Sequence, residues 1–304
     1  MKGSRCAKKN EALVVRLADF IRLTSSSLPD DAERALKRAL RRETAAAGTR
    51  KADSPARTIL KTILANVALA RRNGTPVCQD TGTLTFFVDE SLRCKVSSEI
   101  LGQAVALATE NGWLRRNTID TLSGRSVDTN VSPGAPVVHY VDFNGLDGFK
   151  ATKAAKGRIA LVMKGGGSEN MSMQFSLPDA SLGAGRDMEG VRRAVLAAVQ
   201  HAQGFGCAPG ILGVCIGGDR AAGFEEAKLQ LLRNLDDTNP NPRLAGLERR
   251  VLREANTLGI GPMGLGGKTT LLAVKIGSRP RVPASFFVTV AYLCWAARRR
   301  ILEM

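Results

Sequence analysis

Residues 204–219 read GFGCAPGILGVCIGGD. The centre of this stretch, ILGVCI at 211–216, is a short apolar run of the kind expected for a strand buried on both faces. Gly- and Pro-rich turns bracket it and end regular structure on either side. Before it, 190–203 carries apolar residues at helical spacing, and after it 221–235 does the same. A buried strand held between two helices by tight turns belongs to an α/β layer rather than to a bundle or an all-β sandwich.

Working outward, the same interleaving continues. Helices are predicted over 12–23, 30–42, 56–72, 100–111 and 245–258, and strands over 84–88, 136–142, 158–164, 270–276 and 286–293. The helix at 56–72 stops at Asn73-Gly74, a common C-terminal signal. The polar stretch 115–136 is predicted to be irregular. There is no internal repeat and no linker-like segment. The expected fold is therefore mixed α/β, with helices packed around a mixed β-sheet and a helical N-terminal segment, forming a single domain over 1–304.

Composition narrows the function. The 304 residues carry 44 Lys and Arg against 28 Asp and Glu, a net charge of +16. No zinc finger, RNP motif or basic zipper accompanies the charge, and aromatics make up only 5%. Nucleic acid is therefore not the expected partner. Lys37-Arg38, Arg41-Arg42, Arg192-Arg193, Arg249-Arg250 and Arg298 to Arg300 read as solvated helix faces. A surface that meets an acidic partner subunit explains the same excess. No apolar run approaches 18 residues, so no membrane span is expected. The six cysteines are scattered and no signal sequence precedes them, which implies reduced thiols and a cytoplasmic setting.

Chemistry is concentrated in four irregular, glycine-rich knots: PVCQDTG at 76–82, KGGGSEN at 164–170, the 204–219 stretch itself, and GIGPMGLGGKTT at 259–270, followed by Cys294 in LCWAARR. Cys78, Cys207 and Cys294 each stand at the edge of an element beside small or polar residues. Cys215 lies inside an apolar strand and reads as a core residue, while Cys6 and Cys94 have no glycine context and read as incidental. Three thiols without a close Cys or His pair do not match structural zinc. They fit the count of a [4Fe–4S] cluster that leaves one iron open, although spacing alone is a weak signal. GGKTT at 266–270 imitates a phosphate-binding loop, but that pattern needs Gly six residues before Lys268, where Pro262 stands.

Taken in order, PVCQDTGT, KGGGSEN, CAPGILGVCIGGD, GIGPMGLGGKTT and LCWAARR resemble the α subunit of the class I fumarate hydratase and L(+)-tartrate dehydratase family over roughly residues 12 to 300. The resemblance implies that Cys78, Cys207 and Cys294 hold a [4Fe–4S] cluster. Asp80 would act in proton transfer, and Gln79, Arg115 and Gly166 would bind substrate carboxylate. It further implies reversible hydration of fumarate to malate, with L(+)-tartrate dehydration as the alternative and a non-catalytic cluster-binding scaffold as a second one. KGGGSEN is closer to the fumarase branch. The long interval from Cys207 to Cys294 suits the branch in which the remaining catalytic groups lie on a separate β subunit, so a hetero-oligomer acting on a small dicarboxylate or hydroxy-dicarboxylate is expected. The sequence ends soon after Cys294, in keeping with that expectation. One position departs from the family: Val282 stands where a His is common, twelve residues before Cys294. His139, between Val138 and Tyr140, reads as structural.

Overall fold

The computed structural model describes residues 2–46, 54–145 and 157–304; the Cys6 side chain lies outside what is described. Helices α1 (Lys2–Ser26), α2 (Asp30–Ala46) and α3 (Pro55–Asn73) come first, followed by α4 (Ser98–Glu110), α5 (Gly166–Asn170), α6 (Met188–Ala202), α7 (Arg220–Gln230) and α8 (Pro242–Ala255). Their ends follow local chemistry. Ser54 caps α3 by accepting from the Arg57 N–H, Pro55 occupies its first turn, and Gly74 closes it at φ +64°. Ser97, Asp187, Asp219 and Asn241 cap α4, α6, α7 and α8 through their side-chain oxygens.

The strands are β1 (Thr83–Asp89), β2 (Thr118–Ile119), β3 (Ser126–Val127), β4 (Val137–Val141), β5 (Arg158–Lys164), β6 (Met173–Ser176), β7 (Gly210–Gly217), β8 (Leu271–Arg279), β9 (Phe287–Leu293) and β10 (Arg298–Glu303). Among the described residues they form not one mixed sheet but two, each four-stranded, in the orders β10-β5-β1-β4 and β6-β9-β7-β8, with β2 and β3 as a small separate hairpin. Each large sheet has one parallel pair, β1 with β4 and β7 with β8; its other neighbours are antiparallel.

Period-two alternation sends each strand's side chains to two different cores. In the first sheet, Phe86, Val88, Leu161 and Met163 pack with α1 and α4, while Phe87, Ala160 and Val162 face the other way. In the second, Leu212, Val214, Val288 and Val290 pack with α6 and α8, while Ile211, Cys215, Ala291 and Leu293 face back. The two back-facing sets belong to one cluster together with residues of α2, α3 and α7, so a shared apolar layer joins the sheets. Most predicted elements stand close to their expected bounds, and the central strand extends to Gly210–Gly217.

Arg298 to Arg300 are the clearest correction. They do not lie on a solvated helix face; they open β10, which pairs with β5 from Arg298 opposite Met163. Arg298 and Arg299 are buried. Arg299 pairs with the equally buried Asp31 of α2, which also accepts the Leu235 N–H at 2.7 Å. Among the described residues no helix is long and apolar enough to cross a membrane.

Candidate active site

Strand pairing converges the knots. β7 and β9 run antiparallel with Ile211 opposite Leu293, so the chain entering β7 and the chain leaving β9 share one end of the sheet. Cys207 precedes β7, Cys294 follows β9, and the Trp295 N–H donates to the Cys207 carbonyl at 3.2 Å. In the other sheet Thr83 lies opposite Lys164 and Arg298 opposite Met163. The segments entering β1 (78–82), leaving β5 (165–168) and entering β10 therefore share an end as well. Residues 294–298 carry the chain from one sheet to the other and bring these two ends together.

Two of the three thiols, Cys207 and Cys294, are shifted by burial and by their neighbours. Burial pushes the Cys207 thiol up, with Cys78 and Asp80 adding to the shift. Burial raises Cys294 to about 11; the Arg298 guanidinium opposes this, and Cys207 and Cys78 reinforce it. Cys207 adopts φ +54°, unusual for a residue with a side chain. Its neighbours Gly206 and Gly210 lie against Tyr292: a Cβ would fall 2.4 Å from the ring at Gly206 and 2.3 Å from the hydroxyl oxygen at Gly210. Cys215 is fully buried in β7, where burial pushes its thiol up to about 12. Cys94 is exposed.

Asp80 is clamped from two sides. Asn117 Nδ2 donates to its Oδ1 at 3.0 Å and the Gly166 N–H to its Oδ2 at 2.8 Å. The Gly166 N–H, expected to face an anionic ligand, is thus occupied by the chain's own carboxylate. A Cβ on Gly165 would stand 2.7 Å from Asp80 Oδ2, so any larger residue there would push the carboxylate aside. The glycine turn is fixed from below by Lys164, which donates to Glu169, to the Ser168 carbonyl at 2.8 Å and to Ser172 Oγ at 2.9 Å. Burial pulls the Lys164 ammonium down to about 8, against the attraction of Glu169.

Arg115 is tied to the site through its backbone: its carbonyl accepts from Thr81 Oγ1 at 2.8 Å and from Asn130 Nδ2 at 2.9 Å. Its side chain and that of Gln79 are exposed. Asn130, buried at φ +57°, also accepts the N–H groups of Asn117 and Thr118, each at 3.0 Å. Asp80, Asn117, Asn130 and Gly166 line a cavity of about 330 Å³, at the lower end of the usual range for small-molecule sites. Sequence reading missed Asn117 and Asn130. Asn117 stands at the end of LRRN, a motif valued for its arginines, and Asn130 acts through groups distant in sequence.

Three other positions find simple places. The Lys268 side chain is exposed and its N–H donates to the buried Glu43 at 2.7 Å; the strand β8, not a helix, follows, so the loop lacks the architecture of a phosphate loop. His139 stacks on Phe87 at 5.2 Å between ring centroids. Val282 is 65% exposed in the β8–β9 connection, so all of β9, roughly 20 Å of strand, separates it from Cys294.

Among the described residues no three His, Cys, Asp or Glu side chains close on a single metal ion. A cluster asks for something different, because each of its cysteines binds a different iron. Three thiols from three loops meet that donor chemistry. Two buried donors nearby, the Tyr292 hydroxyl and the Arg298 guanidinium, have no hydrogen-bond partner among the described residues, as if an acceptor belonged between the loops. The residues present therefore fit the cluster.

Comparison with known proteins gives the same direction. The family described as fumarate hydratase (fumerase) matches residues 15–303. A putative class I fumarate hydratase of Geobacillus stearothermophilus is 45% identical over 95% of this chain, and the chain spans only 54% of that relative's length. A putative L(+)-tartrate dehydratase subunit alpha of Methanocaldococcus jannaschii is 32% identical over 94% of this chain and 95% of its own length. The L(+)-tartrate dehydratase subunit alpha of Escherichia coli strain UTI89 is 31% identical over 95% of this chain and 89% of its own. With a family match running from the first helix to the last strand, across every loop that meets at the cysteines, the chain belongs to the fumarate hydratase (fumerase) family.

Proposed function

We propose that this chain is the iron–sulfur-carrying α subunit of a hydro-lyase that reversibly hydrates fumarate to malate, acting as one catalytic domain over 1–304. What supports the reading is that strand pairing brings the loops of Cys78, Cys207 and Cys294 together, all three on one apolar cluster, beside the clamped carboxylate of Asp80. When bound, a [4Fe–4S] cluster on these thiolates supplies a Lewis-acidic iron with an open position. The rest of the chemistry falls to side chains. Asp80, oriented by Asn117 and Gly166, holds and moves a proton at its carboxylate oxygens. The exposed Arg115 grips a substrate carboxylate through a two-pronged guanidinium contact, and Gln79 contributes an amide.

The fumarate reading rests on the higher identity to the Geobacillus relative. L(+)-tartrate dehydration is the second reading, favoured by the end-to-end match with subunits alpha of that name. The experiment is anaerobic reconstitution with iron and sulfide. Protein should take up about four irons per chain; Ser in place of Cys78, Cys207 or Cys294 should abolish the cluster, and Cys215→Ser should retain it. Iron lost from Cys215→Ser and kept in Cys207→Ser would overturn the ligand assignment. With a β subunit present, turnover of malate against L(+)-tartrate separates the two substrates.

A further inference from the structure

Arg298 is 1% exposed, and among the described residues neither its Nε nor either Nη has a hydrogen-bond partner. Its situation differs from that of the other buried arginines. Arg233, at the same burial, forks onto Asp237 and Glu248, and Arg299 next along the chain pairs with Asp31. A buried cation without an anion is costly enough that native folds rarely keep one. The position of this one is defined. It enters β10 opposite Met163, four residues after Cys294, and a Cβ on Gly165 would lie 3.9 Å from its Nη2. Cys294 is itself only 8% exposed, and its thiol meets the same Ala296 carbonyl that accepts the Arg298 N–H at 2.7 Å. A substrate approaching from solvent would meet the exposed Gly166 and Gln79 first. The anion that reaches a buried guanidinium from the Cys294 side is the thiolate with whatever it binds.

We propose that Arg298 is the internal counter-charge of the iron–sulfur cluster, donating its N–H groups to the Cys294 sulfur or an adjacent cluster sulfide. This rests on the reading that Cys78, Cys207 and Cys294 hold that cluster. Arg298 is a positioning residue: it touches no substrate and acts through the group it neutralises. Each electron added to a cluster makes it more negative, so a fixed neighbouring cation favours the reduced state and its removal disfavours it. The same cation holds a buried polyanion in place, so its loss also speeds release of iron.

The test uses the full chain, reconstituted anaerobically, with Arg298→Met and Arg298→Lys. In Arg298→Met the cluster's midpoint potential, read by EPR-monitored redox titration, should fall by about 59 mV or more, a tenfold change in the oxidised-to-reduced ratio for one electron. Arg298→Lys should keep most of the wild-type potential because it keeps the charge. Independently, wild-type protein labelled with ¹⁵N in the arginine guanidinium should give a ¹⁵N coupling to the reduced cluster in pulsed EPR, absent in Arg298→Lys. A wild-type potential in Arg298→Met, or no ¹⁵N coupling in the wild type, would overturn the proposal; if the Met variant does not fold, the labelling result decides alone. A wild-type chain that takes up no cluster would instead sink the cluster reading, and the role of Arg298 with it.

Discussion

Asp80 is held by two donors and no acceptor: Asn117 Nδ2 on one oxygen and the Gly166 N–H on the other. An amide in its place can present only one oxygen, so Asp80→Asn turns an NH₂ toward one of the donors and also removes the titrating group. Turnover of the assembled enzyme should fall by roughly 10² or more, the usual scale for an acid–base group, while iron content stays unchanged. Gly165→Ala should lower turnover too, because the added methyl displaces Asp80 Oδ2 without touching a cysteine. Near-normal turnover in Asp80→Asn would remove Asp80 from the mechanism. The cysteines and Asp80 were legible in the sequence because each sits in a glycine-rich break between regular elements. Asn117, Asn130, Tyr292 and Arg298 were not, since what distinguishes them is a partner, or a missing one, supplied by a different strand or loop.

Elements with a clean period were readable: β5 falls on its predicted 158–164, and α3, predicted over 56–72, ends at its predicted Asn73-Gly74 stop. β10 was not readable. Three consecutive arginines have neither a helical nor a strand period, and the burial of Arg299 depends on Asp31, far away on α2. That pair makes a specific prediction. Asp31→Ala leaves the Arg299 guanidinium buried without its counter-ion and orphans the Leu235 N–H. The cost should be about 3–5 kcal/mol, the range for breaking one side of a buried pair. Urea unfolding of the chain would read it as a lower midpoint with an unchanged slope. A loss below about 1 kcal/mol would mean that Arg299 finds another partner or water. The division into two sheets was illegible for a related reason: register between strands distant in sequence leaves no trace in either strand's own pattern.

At the scale of the whole molecule, the cavity beside Asp80 is chemically incomplete for the proposed reaction. Among the described residues that line it Asp80 is the single titratable side chain and none is a cation, although a dicarboxylate brings two negative charges. The net charge of +16 lies elsewhere on the chain. Loops around the cysteines also carry exposed apolar side chains, with Phe205 at 73%, Leu265 at 63% and Met263 at 40% exposure; the Met263 N–H binds the Ala208 carbonyl beside Cys207. Exposed apolar residues on the cysteine loops suit a surface that another chain covers. The chain spans only 54% of the Geobacillus relative's length, and other relatives are called subunit alpha, which suits the proposed two-subunit reading. The isolated chain should therefore bind iron without hydrating fumarate. A β subunit supplying the missing cations and base should restore turnover and slow cluster loss in air, over an interface on the order of 2,000 Å² or more. Assay of the purified chain with and without that subunit, with mass spectrometry to exclude a co-purifying protein, decides the matter. Robust fumarate hydration by the chain alone would refute the two-subunit reading and require a second acid–base group outside the cavity walls.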